Sequence, residues 1–268
     1  MGRDLERRFR GKRLKSTSWG HVADWYHEML ETQPGTYQKE VILPNLLRLL
    51  AIKEGETILD LACGQGFFAR EFWKQGARVI GVDISKELIA LARENSPKGI
   101  EFRVGPADDL GFLKDGSVDK ITVVLALQNI ENVHDVFTEC SRVLVPRGRL
   151  FVVINHPAFR IPKASSWGWE GHRVQYRRID RYLTESKVKI QMHPGDDPDE
   201  YTLSYHRPLQ FYFKHLSKNG LYVGRVEEWI SNRVSQPGPR AAAENLARRE
   251  IPLFLFMEAV NFGPDGRT

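Results

Sequence analysis

Only two of the 268 residues are cysteines, Cys63 and Cys140, which is too few for a disulfide framework. Neither stands at metal-ligand spacing from a second Cys or His, so no metal site is expected. Long apolar runs are also missing. A bilayer-spanning helix needs roughly 18 such residues, whereas the longest runs here, 121–127 and 251–260, have the length of strands. The first fifteen residues lack the apolar stretch of a secretory leader, and Glu6 stands where an acylation signal has Ser or Thr. The expectation is a cytoplasmic protein with no membrane partner. Repeats and low-complexity tracts are absent too. What the chain does have, 41% hydrophobic and 27% charged residues, suits one large folded unit.

Net charge is +5, which raises the question of nucleic acid. The excess sits in one place: residues 1–15 carry seven Lys and Arg against Asp4 and Glu6, and the remainder is balanced. Residues 1–18 therefore read as a basic arm on a neutral body. Nucleic acid could be touched through that arm, but a solvated tail is the preferred reading.

Residues 19–52 show two helical patterns, with apolar positions in 19–30 and in 37–50, the second kinked at Pro44. They form a helical cap. From Thr57 short β-branched runs alternate with helical segments: 57–61, 78–83, 100–104, 120–127 and 149–155 as strands, with helices between. That rhythm predicts a parallel sheet covered on both faces. It breaks at 159–205, a strand-rich insertion with alternation at 188–192 and 201–205, and resumes with a helix at 208–218 and strands at 221–229 and 253–260. The sheet domain is thus 53–158 plus 206–268, and 159–205 is a lid, an acceptor-binding element or a homodimer contact.

The run Ile58-Leu59-Asp60-Leu61-Ala62-Cys63-Gly64-Gln65-Gly66-Phe67 places strand, glycine turn and helix start in order. Glycines let a ligand approach the backbone, and a helix start offers free N–H groups. Asp60 ends the first strand and Asp83 ends the second, where a carboxylate can accept from both hydroxyls of a ribose. Together they point to an adenosine ligand. A dinucleotide dehydrogenase is the competitor, but its glycine turn stands close to the chain start, whereas about 57 residues precede it here.

The stretches ILDLACGQGF and VIGVDIS, followed by Gly105–Phe112, Val118–Asn129 and VLVPRGRLFVVIN, resemble the class I S-adenosylmethionine-dependent methyltransferases. Within them the likeness is to the ubiquinone- and menaquinone-biosynthesis-like small-molecule group. The resemblance implies a Rossmann-like α/β fold with a seven-stranded mostly parallel sheet, its last strand antiparallel, an N-terminal helical cap and an inserted strand-rich lid. It implies S-adenosyl-L-methionine as cofactor, its methionine end over Asp60, Ala62, Gly64 and Gly66, its ribose on Asp83 and its adenine against Ile84, with Cys63, Ala107, Asp108 and Ala126 as further cofactor-binding residues. Pro106 stands where the family has an acid, so the adenine-amine role passes to Asp108.

Residues after the fourth and fifth strands should face a methyl acceptor. These include Gln128, Asn129, Asn155 and His156, the last the candidate base where the nucleophile must lose a proton. Trp19 and Tyr26 of the cap and Tyr176 of the insertion are further acceptor-site candidates, among arginines and aromatics able to hold an anionic or planar molecule. Aromatic residues at helical spacing also suit plain packing, and His206, Arg207 and Glu227-Glu228 suit tying down the cover. The expected function is methyl transfer to a small molecule. The alternatives are RNA or protein methylation, or a non-catalytic adenosine-binding scaffold.

Overall fold

A computed structural model describes residues 18–171, 173–193 and 197–263. The basic arm therefore lies outside the described residues apart from Ser18. Seven strands form the central sheet: β1 (Thr57–Leu61), β2 (Arg78–Asp83), β3 (Glu101–Val104), β4 (Val118–Val124), β5 (Leu144–Asn155), β10 (Leu221–Trp229) and β11 (Phe254–Asn261). Their order is β10-β11-β5-β4-β1-β2-β3. β1 to β5 pair in parallel, and β11 runs antiparallel to both β5 and β10. This is the expected seven-stranded, mostly parallel sheet.

Successive side chains of a strand point to opposite faces, and both faces here are apolar. Ile58, Phe151 and Val153 join one buried cluster with Phe68, Phe72 and Ile89. Leu59, Val152 and Ile154 join the other with Phe137, Tyr212 and Leu216. Helices supply the cover: α4 (Phe67–Lys74) and α5 (Lys86–Glu94) on the first face, α6 (Val133–Val143) and α7 (Leu209–Lys218) on the second. A last helix, α8 (Ala241–Glu250), precedes β11.

The cap consists of α1 (Ser18–His21), α2 (Ala23–Thr32) and α3 (Leu43–Leu50). The break expected at Pro44 lies just before it: residues 38–42 form a π turn in which Leu43 N–H donates to Gln38 O. Proline has no N–H to continue the ladder, so the widened turn falls where the regular pattern would fail. Leu46, Leu49 and Leu50 are buried against the sheet cluster.

The insertion is two antiparallel hairpins, β6 (Ser165–Glu170) with β7 (Val174–Ile179) and β8 (Ser186–His193) with β9 (Asp197–His206). Only the second pair was visible in the alternation of the sequence. No helix among the described residues is long and apolar enough to cross a membrane, and no cluster of His, Cys, Asp or Glu among them could hold a metal ion.

Candidate functional site

The turn after β1 is built on left-handed backbone. Ala62 has φ 59°, Gly64 57° and Gly66 81°. Gly66 begins α4, and a Cβ there would stand 2.8 Å from the Phe102 ring, so only glycine lets the helix approach β3 this closely. Asp83, at the end of β2, holds the turn in place: Oδ2 accepts the N–H of Gly64 at 2.9 Å and Oδ1 the N–H of Ser85 at 2.8 Å. Each oxygen keeps a second lone pair for a ligand. The cap is tied to the same turn. Arg70 pairs with Glu31 of α2 and donates to the Gln65 side chain at 3.0 Å and the Gln65 carbonyl at 2.9 Å.

Above the turn lies a cavity of ≈ 1130 Å³. One end is lined by Ala62, Gly64, Asp83, Ile84, Ala107, Asp108 and Ala126, seven of the ten residues expected from sequence to hold the cofactor; Asp60, Cys63 and Gly66 are not part of the lining. Ile84 is an apolar side chain left 42% exposed at the cavity wall. The cap adds Trp19, Trp25, Tyr26 and Met29, with Trp19 and Tyr26 in edge-to-face contact at 5.3 Å. The third-motif acid transferred to Asp108 lies at the cavity wall, 3.5 Å from the Asn132 amide.

Gln128, Asn129 and Asn155 line the cavity beyond the ends of β4 and β5. Leu125, between β4 and that loop, is a second left-handed non-glycine residue, with φ 53°. Such a residue costs about 1–2 kcal/mol and marks a backbone held by its surroundings. Its N–H donates to Val153 O at 2.7 Å, and its carbonyl accepts from Gln128 Nε2 at 2.6 Å. That bond fixes the amide orientation, and Gln128 Oε1 is left buried with no hydrogen-bond partner.

A second unpartnered oxygen lies beneath the turn. Asp60 Oδ1 accepts from the Thr122 hydroxyl at 3.0 Å, while Oδ2 is buried without a partner. Burial raises the Asp60 carboxyl to about 7, and the neighbouring Asp83 adds to the rise. Burial also pushes the Tyr26 phenol up to about 12, with the Asp83 and Asp60 charges reinforcing it. The Asp83 carboxyl is itself raised by burial, opposed by its two backbone hydrogen bonds. Asp83 presents acceptor positions to the cavity beside apolar walls, which fits a ligand carrying hydroxyls and a flat ring, while Asp60 adds a buried carboxyl behind the turn, outside the lining.

Several predicted residues lie elsewhere. Cys63 is buried behind the turn, its sulfur 3.0 Å from where a Gly81 Cβ would be, and Gly66 packs on Phe102; both shape the turn from below. Tyr176 is turned out of the cavity, with its ring across Gly168 on the paired strand. His156 is also outside the lining. It is 2% exposed, its Nδ1 accepts from Ala158 N–H at 3.2 Å, and its Nε2–H donates to Glu228 at 2.7 Å. Burial lowers its pKa. With both nitrogens engaged, His156 is placed as a tie between β5 and β10, not as a base facing an acceptor.

Of the arginines and aromatics that the sequence offers in the insertion, Arg160, Trp167 and Arg177 line the cavity, together with residues that it did not single out. Ser165, Trp167 and Arg177 of the first hairpin and Ile190–Met192 and Thr202–Tyr205 of the second close the far end of the cavity, with Arg160 and Lys163 between the sheet and the hairpins. Alternation marked these strands, but which face meets a cavity depends on tertiary placement.

Residues 59–152 match the family described as "Methyltransferase domain". This segment is a methyltransferase domain. It contains the glycine turn, Asp60, Asp83, Asp108 and Gln128. The chain is 35% identical over 113 residues to a demethylmenaquinone methyltransferase of Tropheryma whipplei, covering 41% of this chain and 46% of that protein. It is 31% identical over 101 residues to a ubiquinone biosynthesis O-methyltransferase of Xanthomonas oryzae pv. oryzae, covering 37% and 42%. The match thus spans about half the length of these curated relatives. Among solved structures, an S-adenosylmethionine-dependent methyltransferase from Mesorhizobium loti superposes with a TM-score of 0.68 at 27% identity, over 84% of this chain and all of that one. The methyltransferase domain and the sheet around it therefore have the class I, Rossmann-like methyltransferase fold.

Proposed function

We propose that the chain is an S-adenosylmethionine-dependent methyltransferase acting on a small-molecule acceptor. The observation that carries this reading is the continuity of the cavity, from the Gly64 turn and Asp83 to the two hairpins. Its ≈ 1130 Å³ exceeds the roughly 300–1,000 Å³ typical of one small ligand, so a cofactor and an acceptor fit in one enclosure.

Asp83 would hold the ribose, the Gly64 turn would let the methionine portion lie against the backbone, and the Asp60 carboxylate behind that turn would supply negative charge for its ammonium. When bound, the cofactor supplies a methyl group activated by the positive sulfur. The chain's own contribution is to orient and to exclude water. Trp19, Tyr26 and the hairpins cover the cavity, and Gln128 Oε1 would accept an N–H or O–H of the acceptor. No histidine lines the cavity among the described residues, so His156 is not offered as the base of this reaction, and in-line positioning is the contribution assigned to the chain. Quinone-type names among the relatives support a small, largely apolar acceptor.

Calorimetric titration with S-adenosylmethionine, S-adenosylhomocysteine and NADH tests the proposal. Binding of the first two, lost in Asp83→Ala, is the expected result. Binding of NADH alone overturns it.

A further inference from the structure

The charges of the cavity are segregated. Its described carboxylates, Asp83, Asp108 and Glu131, stand at the ends of β2 to β4 and on the loops after them, Glu131 already paired with Lys187 of β8 at 3.0 Å. Its described cations, Arg160, Lys163 and Arg177, all stand beyond β5, on the approach to the hairpins and on β7. No carboxylate among the described residues forms an ion pair with any of these three.

Arg177 is held rigidly. Its Nε donates to Phe159 O at 2.8 Å, its Nη2 to Ser165 Oγ at 2.6 Å, and its guanidinium lies over the Trp167 ring at 5.1 Å. Nη1 takes part in none of these bonds. Arg160 follows Phe159 directly, and its backbone N–H is fixed by His156 O at 2.8 Å. Its guanidinium makes no hydrogen bond or ion pair with any described residue. Both groups titrate below the usual guanidinium range, chiefly through burial, and Arg177 is lowered further by the Arg160 charge. Two neighbouring cations in partial burial repel each other and lack a counter-charge, which is the condition under which an oxyanion binds by charge-assisted, forked hydrogen bonds.

We infer that the hairpin end of the cavity is an oxyanion subsite, with Arg160 and Arg177 gripping a carboxylate or phosphate on the methyl acceptor and Trp167 flanking its body. This rests on the methyltransferase reading only in calling the bound anion the acceptor. The anionic group is then a handle, remote from the Gly64 turn, and the atom that takes the methyl is a different one, presented near Gln128.

The probes are benzoate, phenyl phosphate and neutral benzamide, titrated calorimetrically into protein saturated with S-adenosylhomocysteine. At least one anion should bind, with benzamide weaker by about tenfold or more, and affinity should fall as salt is raised. Benzoate against phenyl phosphate separates a carboxylate from a phosphate handle. Arg160→Gln should weaken the anion about tenfold or more while leaving S-adenosylhomocysteine affinity and the melting temperature unchanged. Arg177→Lys, which keeps the charge and loses the fork, should weaken it less than Arg160→Gln.

Equal binding of benzamide, unchanged anion affinity in Arg160→Gln, or no binding of either anion at 10 mM (a limit about ten times a 1 mM Kd) overturns the inference. Failure of S-adenosylhomocysteine to bind wild-type protein counts against the methyltransferase reading instead. The anions, titrated into protein without it, then still decide whether the subsite exists.

Discussion

Asp83 Oδ2 accepts the backbone N–H of Gly64 at 2.9 Å, so the carboxylate that ends β2 fixes the turn that follows β1. The other oxygen is already engaged by Ser85 N–H. Asp83→Asn must therefore set an amide NH2 against one of two backbone donors. The expected result is loss of cofactor binding by about 100-fold, equivalent to about 2.7 kcal/mol, with a lower melting temperature as the turn loosens. Titration with S-adenosylhomocysteine checks it, and unchanged affinity would show that the turn holds itself.

Asp60 makes the binding pH-dependent. Its carboxyl is raised to about 7 because burial disfavours the charge and the neighbouring Asp83 adds to the rise. A ligand ammonium favours the ionised form, so affinity should rise from about pH 5.5 to 7, with a proton released on binding. That window lies below the usual range of an α-amino group, so the ligand's own charge changes little. Titration in buffers of different ionisation enthalpy measures the proton. Asp60→Asn should abolish both the pH slope and the release.

The cofactor end of this cavity was legible because it depends on local chemistry. A glycine turn after a strand, an acid at the end of that strand and an acid at the end of the next are all sequence-adjacent features, and Ala62, Gly64, Asp83 and Ile84 stand where they were expected. The sheet was legible for the same reason, since Phe151–Ile154 buries both faces and reads as a continuous apolar run. The acceptor end was legible only in part: Trp19, Tyr26, Gln128, Asn129 and Asn155 line the cavity, whereas Tyr176 and His156 do not. Tyr176 and Arg177 are neighbours in sequence, and the pleat alone sends one across Gly168 and the other into the cavity. His156 follows a strand end that faces the cavity, yet its ring turns to Glu228 on β10, 72 residues away. Neither outcome leaves a trace in periodicity or spacing.

The His156 tie has a consequence for stability. Burial holds its pKa below the ordinary 6.5, so the folded protein keeps the ring neutral while the unfolded chain takes up a proton as pH falls through 6.5. Stability from this group is therefore full above that value and declines as pH falls toward the lowered folded pKa. Urea unfolding from pH 8 to 5 should show the midpoint dropping more steeply in wild type than in His156→Gln. Equal slopes would mean that the imidazole stays charged in the folded state.

Arg207 offers a test of how the acceptor loop is positioned. It is 4% exposed, and its guanidinium donates to the carbonyls of Leu127 at 3.3 Å, Ile130 at 2.8 Å and Glu131 at 2.8 Å. These carbonyls belong to the segment that carries Gln128 and Asn129, so an arginine at the end of β9 fixes a loop that follows β4. Tyr205 and Phe211 lie 5.0 Å and 5.1 Å from the same group and hold it by cation–π contact. Arg207→Met keeps the length and apolar stem but leaves three carbonyls without their donor. The expected cost is about 2–4 kcal/mol in unfolding free energy. Amide hydrogen exchange should become faster over residues 127–133, while the Gly64 turn, held by Asp83, keeps its protection. Uniform loss of protection across the sheet would instead make Arg207 a general stabiliser with no particular hold on the loop.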